Sequence, residues 1–577
     1  MNCARDLRIY SASELSLNDF GGQALSAVTF TPVTLAHGVD IHDGALTPAA
    51  ERILSPEAIA LVARLHRALA AGRDGLLADR ARRQAEWDAG AAPGYLPAGA
   101  LPEARGEWRV ADLPADMRRR RVEITGPASD ARMVINMLSR GADGARADAA
   151  MIDFEDAMKP SWANVVAGVE NIIAAAEGSL EAVRFGPSGE IEKRYRLDPD
   201  DMPLMMVRVR GLHLDEANLR VDGEPVSAGL FDLVMVACHA ARALVARGKT
   251  PAFYVPKVEH HLEARWWDRL FSLLESEVQL ELGTLRATFL IETLPAAFQV
   301  EEILYELRAH AAALNVGRWD KIFSDIKCLR AHPDRVLADR ASIGLNRSWM
   351  LAYARQLIQV CHAHGALAIG GMAAFTPGRD ADLRQQQTAR VVTDKELEAS
   401  MGHDGCWVSH PYFIGPAMEP FARTLAGRDN QLDVIPDAPA RPDLLPESSG
   451  PRTLDGLRTN VRVGIAYLRG WNDDLGCVAW DNLMEDLATL EISRVQVGQW
   501  LRHGVVLDDG ARVDRPLVAR VFDEELARIL DEVPADEHDA YRRAARDARS
   551  VFLEDDTRPF LTTISELATA LAPSVPA

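Results

Sequence analysis

Cysteine is sparse in this 577-residue chain, and what there is lies scattered. Cys3, Cys238, Cys328, Cys361, Cys406 and Cys477 contain no CxxC pair, which argues against a disulfide framework and for reduced thiols in a cytoplasmic protein. No apolar run reaches the length of a bilayer span, and no basic start followed by an apolar core opens the chain, so a membrane is not an expected partner. The final Ser-Val-Pro-Ala matches no retention or peroxisomal address. Positive charge is in the minority. The 64 Lys and Arg against 84 Asp and Glu leave a net charge of −20, which argues against nucleic acid as a partner. A locally basic site for an anionic substrate remains compatible with that surface. The chain also lacks a Gly-rich dinucleotide loop and any internal repeat.

What is present belongs to a folded protein of two or three domains, with 48% hydrophobic and 26% charged residues. Residues up to about Phe30 read as a leader with no clear pattern. From Thr47 to Trp87 the pattern is helical, with Ser55-Pro56-Glu57 as a cap and apolar residues at Ile59, Leu61, Val62, Leu65 and Leu69. The middle of the chain alternates short apolar runs with helical stretches. Strands are predicted at Val122–Thr125, Ala149–Phe154, Leu204–Val209, Phe253–Val258, Thr288–Ile291, Leu314–Gly317, Leu367–Gly370 and Cys406–Ser409. Helices such as Leu262–Glu277 and Ala297–Ala313 separate most of them. This is the pattern of an α/β protein built on a closed (β/α)₈ TIM barrel.

The expected organisation is an N-terminal helical clasp over 1–110, a barrel over 111–432 and a Pro-rich tether over 433–453. A C-terminal all-helical domain over 454–577 follows, with helices at Leu454–Trp471, Met484–His503 and Glu524–Ala548. A small hairpin excursion is expected near 185–203. Cys361-His362-Ala363-His364 resembles a metal site only in composition, because it falls in the helical pattern Tyr353–His364 and would need further ligands.

Chemistry in such a barrel sits where the strands end. Those ends carry Asp153, Glu155, Asp156, Arg208, Arg210, Lys257, Glu259, Glu292, Asp320 and His410. Several of these are expected to be structural ion pairs, Asp153, Lys257 and Glu259 foremost. Glu292 follows the run Thr288–Ile291, and Asp320 follows Gly317–Trp319. Two carboxylates at adjacent strand ends suit a hard cation, Mg²⁺, whose remaining positions go to water and an oxygen-rich substrate. Arg208 keeps its charge when buried, so it suits an oxyanion and makes a poor base.

The same residues lie in a set of ordered motifs: RRVEITGP (Arg120–Pro127), DFEDA (Asp153–Ala157), RVRGLHL (Arg208–Leu214), FYVPK (Phe253–Lys257), LIETLPAAFQVEEILYELR (Leu290–Arg308), LNVGRWDKIFSDIK (Leu314–Lys327), IGGMAAF (Ile369–Phe375), GHDGCWVSHP (Gly402–Pro411) and LMEDLATLEISR (Leu483–Arg494). From about Thr47 onward the chain resembles the A-type malate synthases. That resemblance implies condensation of acetyl-CoA with glyoxylate and hydrolysis of the thioester to malate and CoA. It implies Glu292 and Asp320 as Mg²⁺ ligands, and Gly317, Trp319 and Asp320 as the loop that receives glyoxylate together with Arg208. It further implies Arg208 as the catalytic arginine and Asp486 as the base that takes the acetyl methyl proton. Glu155 and Asp156 would support the arginine, and Arg132 would face the nucleotide part of CoA.

Four positions depart from the family pattern. Cys406 and Ser409 stand in GHDGCWVSHP where threonine and alanine are usual, and Lys321 and Asp325 stand where aromatics are common. These departures bear on substrate fit and leave the reaction type unchanged. Two other readings stay open at this level: a Mg²⁺-dependent lyase of the malyl-CoA or citrate lyase kind, and a silent binding protein on the same fold. LMEDLAT and the large helical C-terminal region count against the first, and intact Arg208, Glu292, Asp320 and Asp486 against the second. A monomer is preferred, with the oligomeric state otherwise open.

Overall fold

The computed structural model describes residues 30–554 and 560–561. The leader through residue 29, Cys3 and the terminal Ser-Val-Pro-Ala lie outside the described residues. Eight parallel strands close into a barrel: β1 (Val122–Pro127), β2 (Ala149–Asp153), β3 (Leu204–Arg208), β4 (Ala252–Val255), β5 (Arg286–Leu290), β6 (Ala311–Asn315), β7 (Leu367–Ala373) and β8 (Gly405–Val408). Each pairs with its neighbour in the chain, and β8 closes on β1 through Cys406, Trp407 and Val408. Buried on both faces, such strands read as continuous apolar runs, which is why all eight were legible.

One boundary moved. The helix predicted over Ala297–Ala313 stops at Glu306, and Ala311–Ala313 belong to β6. Alanine favours helix intrinsically, but small side chains facing the crowded barrel interior override that preference. Inside the barrel, Met151, Met206, Tyr254, Leu290 and Ile369 surround a buried polar layer. There the Arg120 guanidinium donates to Glu123 (2.7 Å), Thr288 (2.8 Å) and Tyr254 (3.0 Å), and the Trp407 indole donates to Glu123 (3.2 Å). These charges are buried but paired, which is what makes their burial tolerable. Trp407 then forms part of the floor of the cavity above.

The N-terminal region is helical as expected, with one addition. The long helix α1 (Pro56–Asp88) starts at the Ser55 cap, whose side chain accepts from Ala58 N–H, with proline in the first turn. Its Arg80 is buried and donates to Glu263 (2.6 Å) and to the Lys257 carbonyl (2.8 Å). Before it, strands Pro32–Ala36 and Val39–His42 join Asp215–Val221 and Glu224–Ser227 in a four-stranded sheet, which the sequence reading did not anticipate. A hairpin pairs Glu181–Phe185 with Ile191–Arg196, starting and ending earlier than the excursion expected near 185–203. Among the described residues one helix, α2 (Ala228–Ala246), is long and apolar enough to cross a bilayer by composition, contrary to the expectation that no run would be. It is a core helix, 72% buried in protein, and its Asp232 pairs with Arg210 at 2.7 Å.

In the C-terminal region, α3 (Leu454–Asn472), α4 (Leu487–His503), α5 (Arg515–Glu532) and α6 (His538–Phe552) enclose a core of their own. The single helical pattern Glu524–Ala548 is in fact two helices. Pro534 lacks an N–H and drives Val533 to an extended conformation (φ −104°, ψ 155°), so α5 ends there. The region is also not purely helical. Val478–Trp480 and Leu483–Glu485 form a hairpin whose turn residues, Asp481 and Asn482, both take positive φ (46° and 61°), as a two-residue hairpin turn demands.

Candidate active site

The two acids predicted as a pair lie above neighbouring strands. Glu292 follows β5 directly. Asp320 lies in the first turn of the helix after β6 (Arg318–Cys328) rather than at the strand end itself. Both are buried, at 1% and 6% exposure. One Glu292 oxygen accepts from the Lys257 backbone N–H at 2.8 Å, and Lys257 holds a left-handed φ of 53° to present it. Gly317 stands between the acids. A Cβ there would meet the Glu292 Cβ at 2.5 Å, so only glycine lets the loop pass so close.

Arg208, the last residue of β3, is gripped by Asp153 through two parallel hydrogen bonds, one of them 2.7 Å. Its remaining nitrogen lies 3.3 Å from Asp156 and 3.8 Å from Glu155. Lys257 sits at the centre of the acids, 2.9 Å from Asp156, 3.1 Å from Glu155 and 3.4 Å from Asp320. Asp153, Lys257 and Glu259 are therefore ion-paired as expected, with Glu259 reaching Lys327 at 2.7 Å. Lys257 and Asp153 also stand directly beside the site residues, as their places at the strand ends implied. Burial opposes charge on Asp156, but Lys257 and Arg208 hold its carboxyl below the ordinary range. Burial and the adjacent Asp156 push Glu155 well up.

Asp486 comes from the other end of the chain. It is the N-cap of α4, where its side chain accepts from Thr489 N–H and its own N–H donates to the Thr489 hydroxyl at 3.0 Å. Two contacts bring it over the barrel. The Met484 N–H donates to the Ala374 carbonyl (2.7 Å), and the Leu487 N–H donates to the Asp156 carbonyl (3.3 Å). Beneath them Ile492 and Val495 of α4 pack on Ile322, Phe323 and Ile326 of Arg318–Cys328. One helix-to-helix contact thus fixes both Asp320 and Asp486.

The result is a small cavity lined by Arg208, Glu292, Gly317, Trp319, Asp320 and Asp486, with Asp153, Asp156, Thr125, Asn315, Met372, Trp407 and Met484. Burial, then Asp156, pushes the Asp486 carboxyl up to about 8 against the pull of Arg208. Burial pushes Asp320 up to about 6 despite Lys257, and burial with Asp320 raises Glu292 well above the usual range. Such crowding of acids calls for a cation. Asp320 Oδ1 is buried with no hydrogen-bond partner, although the Lys257 ammonium lies 3.4 Å from it. Among the described residues no group of three or more His, Cys, Asp and Glu forms a ready metal cage. A carboxylate pair suits Mg²⁺, which retains waters and accepts substrate oxygens.

Arg132 stands apart. It pairs with Asp130 (2.8 Å) on an exposed surface and does not line this cavity. The Cys361 motif is structural: Cys361 is buried, and His362 bonds Asp404 at 3.0 Å. His410 lines a second, roomier and more apolar cavity that shares Thr125, Ala157 and Met484 with the first and includes Pro127, Met133, Met137 and Cys477. Sequence reasoning missed Asn315, whose buried Oδ1 lacks a partner. Its signal was a lone polar residue closing the apolar run Ala311–Leu314.

Comparison with known proteins places three family models along the chain: the malate synthase TIM barrel domain over 204–445, the malate synthase C-terminal model over 451–567 and the malate synthase N-terminal domain over 38–101. A malate synthase of Myxococcus xanthus (strain DK1622) is 43% identical over 508 residues, covering 88% of this chain and 91% of the relative. Malate synthase A of Escherichia coli (strain K12) is 40% identical over 518 residues, covering 89% and 95%. A malate synthase of Oryza sativa subsp. japonica is 43% identical over 538 residues, covering 91% and 93%.

Proposed function

From the premise that this chain belongs to the malate synthase family, we propose that it condenses acetyl-CoA with glyoxylate and hydrolyses the thioester to give malate and CoA. The observation that supports this reading most directly is that Arg208, Glu292 and Asp320 of the barrel line one cavity with Asp486 of the C-terminal region.

Each group has a task in the reaction. The helix Arg318–Cys328 has no side-chain cap, so its first-turn N–H groups are available to the glyoxylate carboxylate. Glu292 and Asp320 would hold Mg²⁺, which when bound acts as a Lewis acid on the aldehyde oxygen. Asp486 takes a proton from the acetyl methyl group. Its burial raises its basicity above that of an ordinary carboxylate, which narrows the gap to a carbon acid. Arg208, fixed by Asp153, stabilises the enolate oxygen of the thioester without supplying a proton. The enolate carbon bonds to the aldehyde carbon as the C=O pair shifts to the oxygen, which takes up a proton from solvent to become the hydroxyl. Water then cleaves the malyl-CoA thioester, releasing malate and the CoA thiol. The apolar cavity past Met133, Met137 and Met484 suits the pantetheine arm, which leads the acetyl group to Asp486.

Release of free thiol from acetyl-CoA tests this reading. The expected result is release that requires both glyoxylate and a divalent cation. Cleavage of malyl-CoA into acetyl-CoA and glyoxylate without thiol release would contradict it.

A further inference from the structure

Lys321 and Asp325, the two charged departures from the family pattern, turn out to be a single feature. Both are 0% exposed at the side chain, and they form an ion pair one turn apart on the helix Arg318–Cys328. The pair begins at the residue after Asp320. The Lys321 ammonium also lies 5.7 Å from the centre of the Tyr353 ring. The Tyr353 hydroxyl, in turn, donates to the carbonyl of Ile291, the residue before Glu292. A continuous path therefore runs from the helix turn that carries Asp320, through Lys321 and Tyr353, to the strand end that carries Glu292.

Stability alone is a weak reason for such a pair, because apolar side chains of similar volume serve a core at least as well. What a buried pair supplies is a fixed geometry, since neither member can leave the other without stranding a charge. We propose that Lys321 and Asp325 are positioning residues that set the separation of Asp320 and Glu292, and with it the affinity of the site for a divalent cation and for the small aldehyde acid bound beside it. This inference rests on the proposed function for the identity of that site. The partners that orient metal-binding side chains commonly matter nearly as much as the ligands themselves.

Calorimetric titration of the full-length chain with Mg²⁺ alone tests this without relying on turnover. The variant Lys321→Met/Asp325→Leu fills the space without charge. It is expected to keep the wild-type melting temperature and to bind Mg²⁺ about tenfold more weakly. Its KM for glyoxylate should rise more than its kcat falls. Wild-type Mg²⁺ affinity and KM in that folded variant would overturn the proposal. Tyr353→Phe gives a second arm that leaves the ion pair in place: weakened Mg²⁺ binding is expected, and unchanged binding would contradict the path through Ile291. A wild-type chain that binds no Mg²⁺ would instead bring down the metal-site reading beneath both.

Discussion

Asp486 carries two duties that normally pull apart. As an N-cap it accepts from the first turn of α4, where the positive end of the helix favours the carboxylate. As a buried acid beside Asp156 it is pushed up to about 8, which favours the proton. A base must be ionised to act, so the pH dependence has a definite sign. The kcat/KM for acetyl-CoA is expected to rise with pH from 6 towards 8 and then level, and a flat profile across that range would count against Asp486 as the base. Gly317 is constrained by space. Gly317→Ala places a Cβ 2.5 Å from that of Glu292 in a buried site, so it is expected to weaken Mg²⁺ binding, raise the KM for glyoxylate and lower the melting temperature. Glu292 and Asp320 could be placed on one rim because each follows an apolar run in a barrel, although Asp153 and Glu259 do the same and are held in ion pairs. Asp486 could not, because a capping aspartate looks the same whether or not it faces a cavity, and only the family resemblance marked it.

The contact that matters most between elements is that of α4 with Arg318–Cys328. Ile492 and Val495 meet Ile322, Phe323 and Ile326 there, and the first turns of the two helices carry Asp486 and Asp320. Ile492→Ala removes a fully buried side chain at this seam and is expected to cost roughly 2–5 kcal/mol. Turnover should fall while Mg²⁺ affinity is kept, because Glu292 and Asp320, the acids proposed to hold the ion, both belong to the barrel. Thermal melting and calorimetry on the same sample check both halves. Strands were easier to read than helix limits. The apolar runs of β1–β8 have one structural explanation, whereas the alanines of β6 also suit a helix. The helical periodicity across α5 and α6 likewise ran through Pro534 without revealing the break.

At the scale of the whole molecule, the site exists only where two separately cored regions meet. The barrel has its interior and outer clusters, the C-terminal region has its own, and the cavity lies at their junction. A net charge of −20 surrounds a site built on Arg208 and Lys257, so the cations that matter are buried ones. Docking was the least legible feature of the sequence. It depends on contacts such as Gly476 against the backbone of Met158, where a Cβ would come within 2.2 Å, and no local pattern encodes such a pairing. Gly476→Val is accordingly expected to push the C-terminal loop off the barrel, abolishing turnover while leaving the melting of the barrel and its Mg²⁺ binding in place. Loss of Mg²⁺ binding in that variant would mean that the barrel does not hold the ion alone.

The division of labour between the two regions is tested most directly by Asp486→Asn. Asparagine is as good an N-cap as aspartate, so α4 should keep its place. Calorimetry is expected to give wild-type binding of Mg²⁺ and glyoxylate, while thiol release falls by about a thousandfold. Near-normal thiol release from that variant would contradict the account, because a chain that turns over without this carboxylate takes its proton elsewhere.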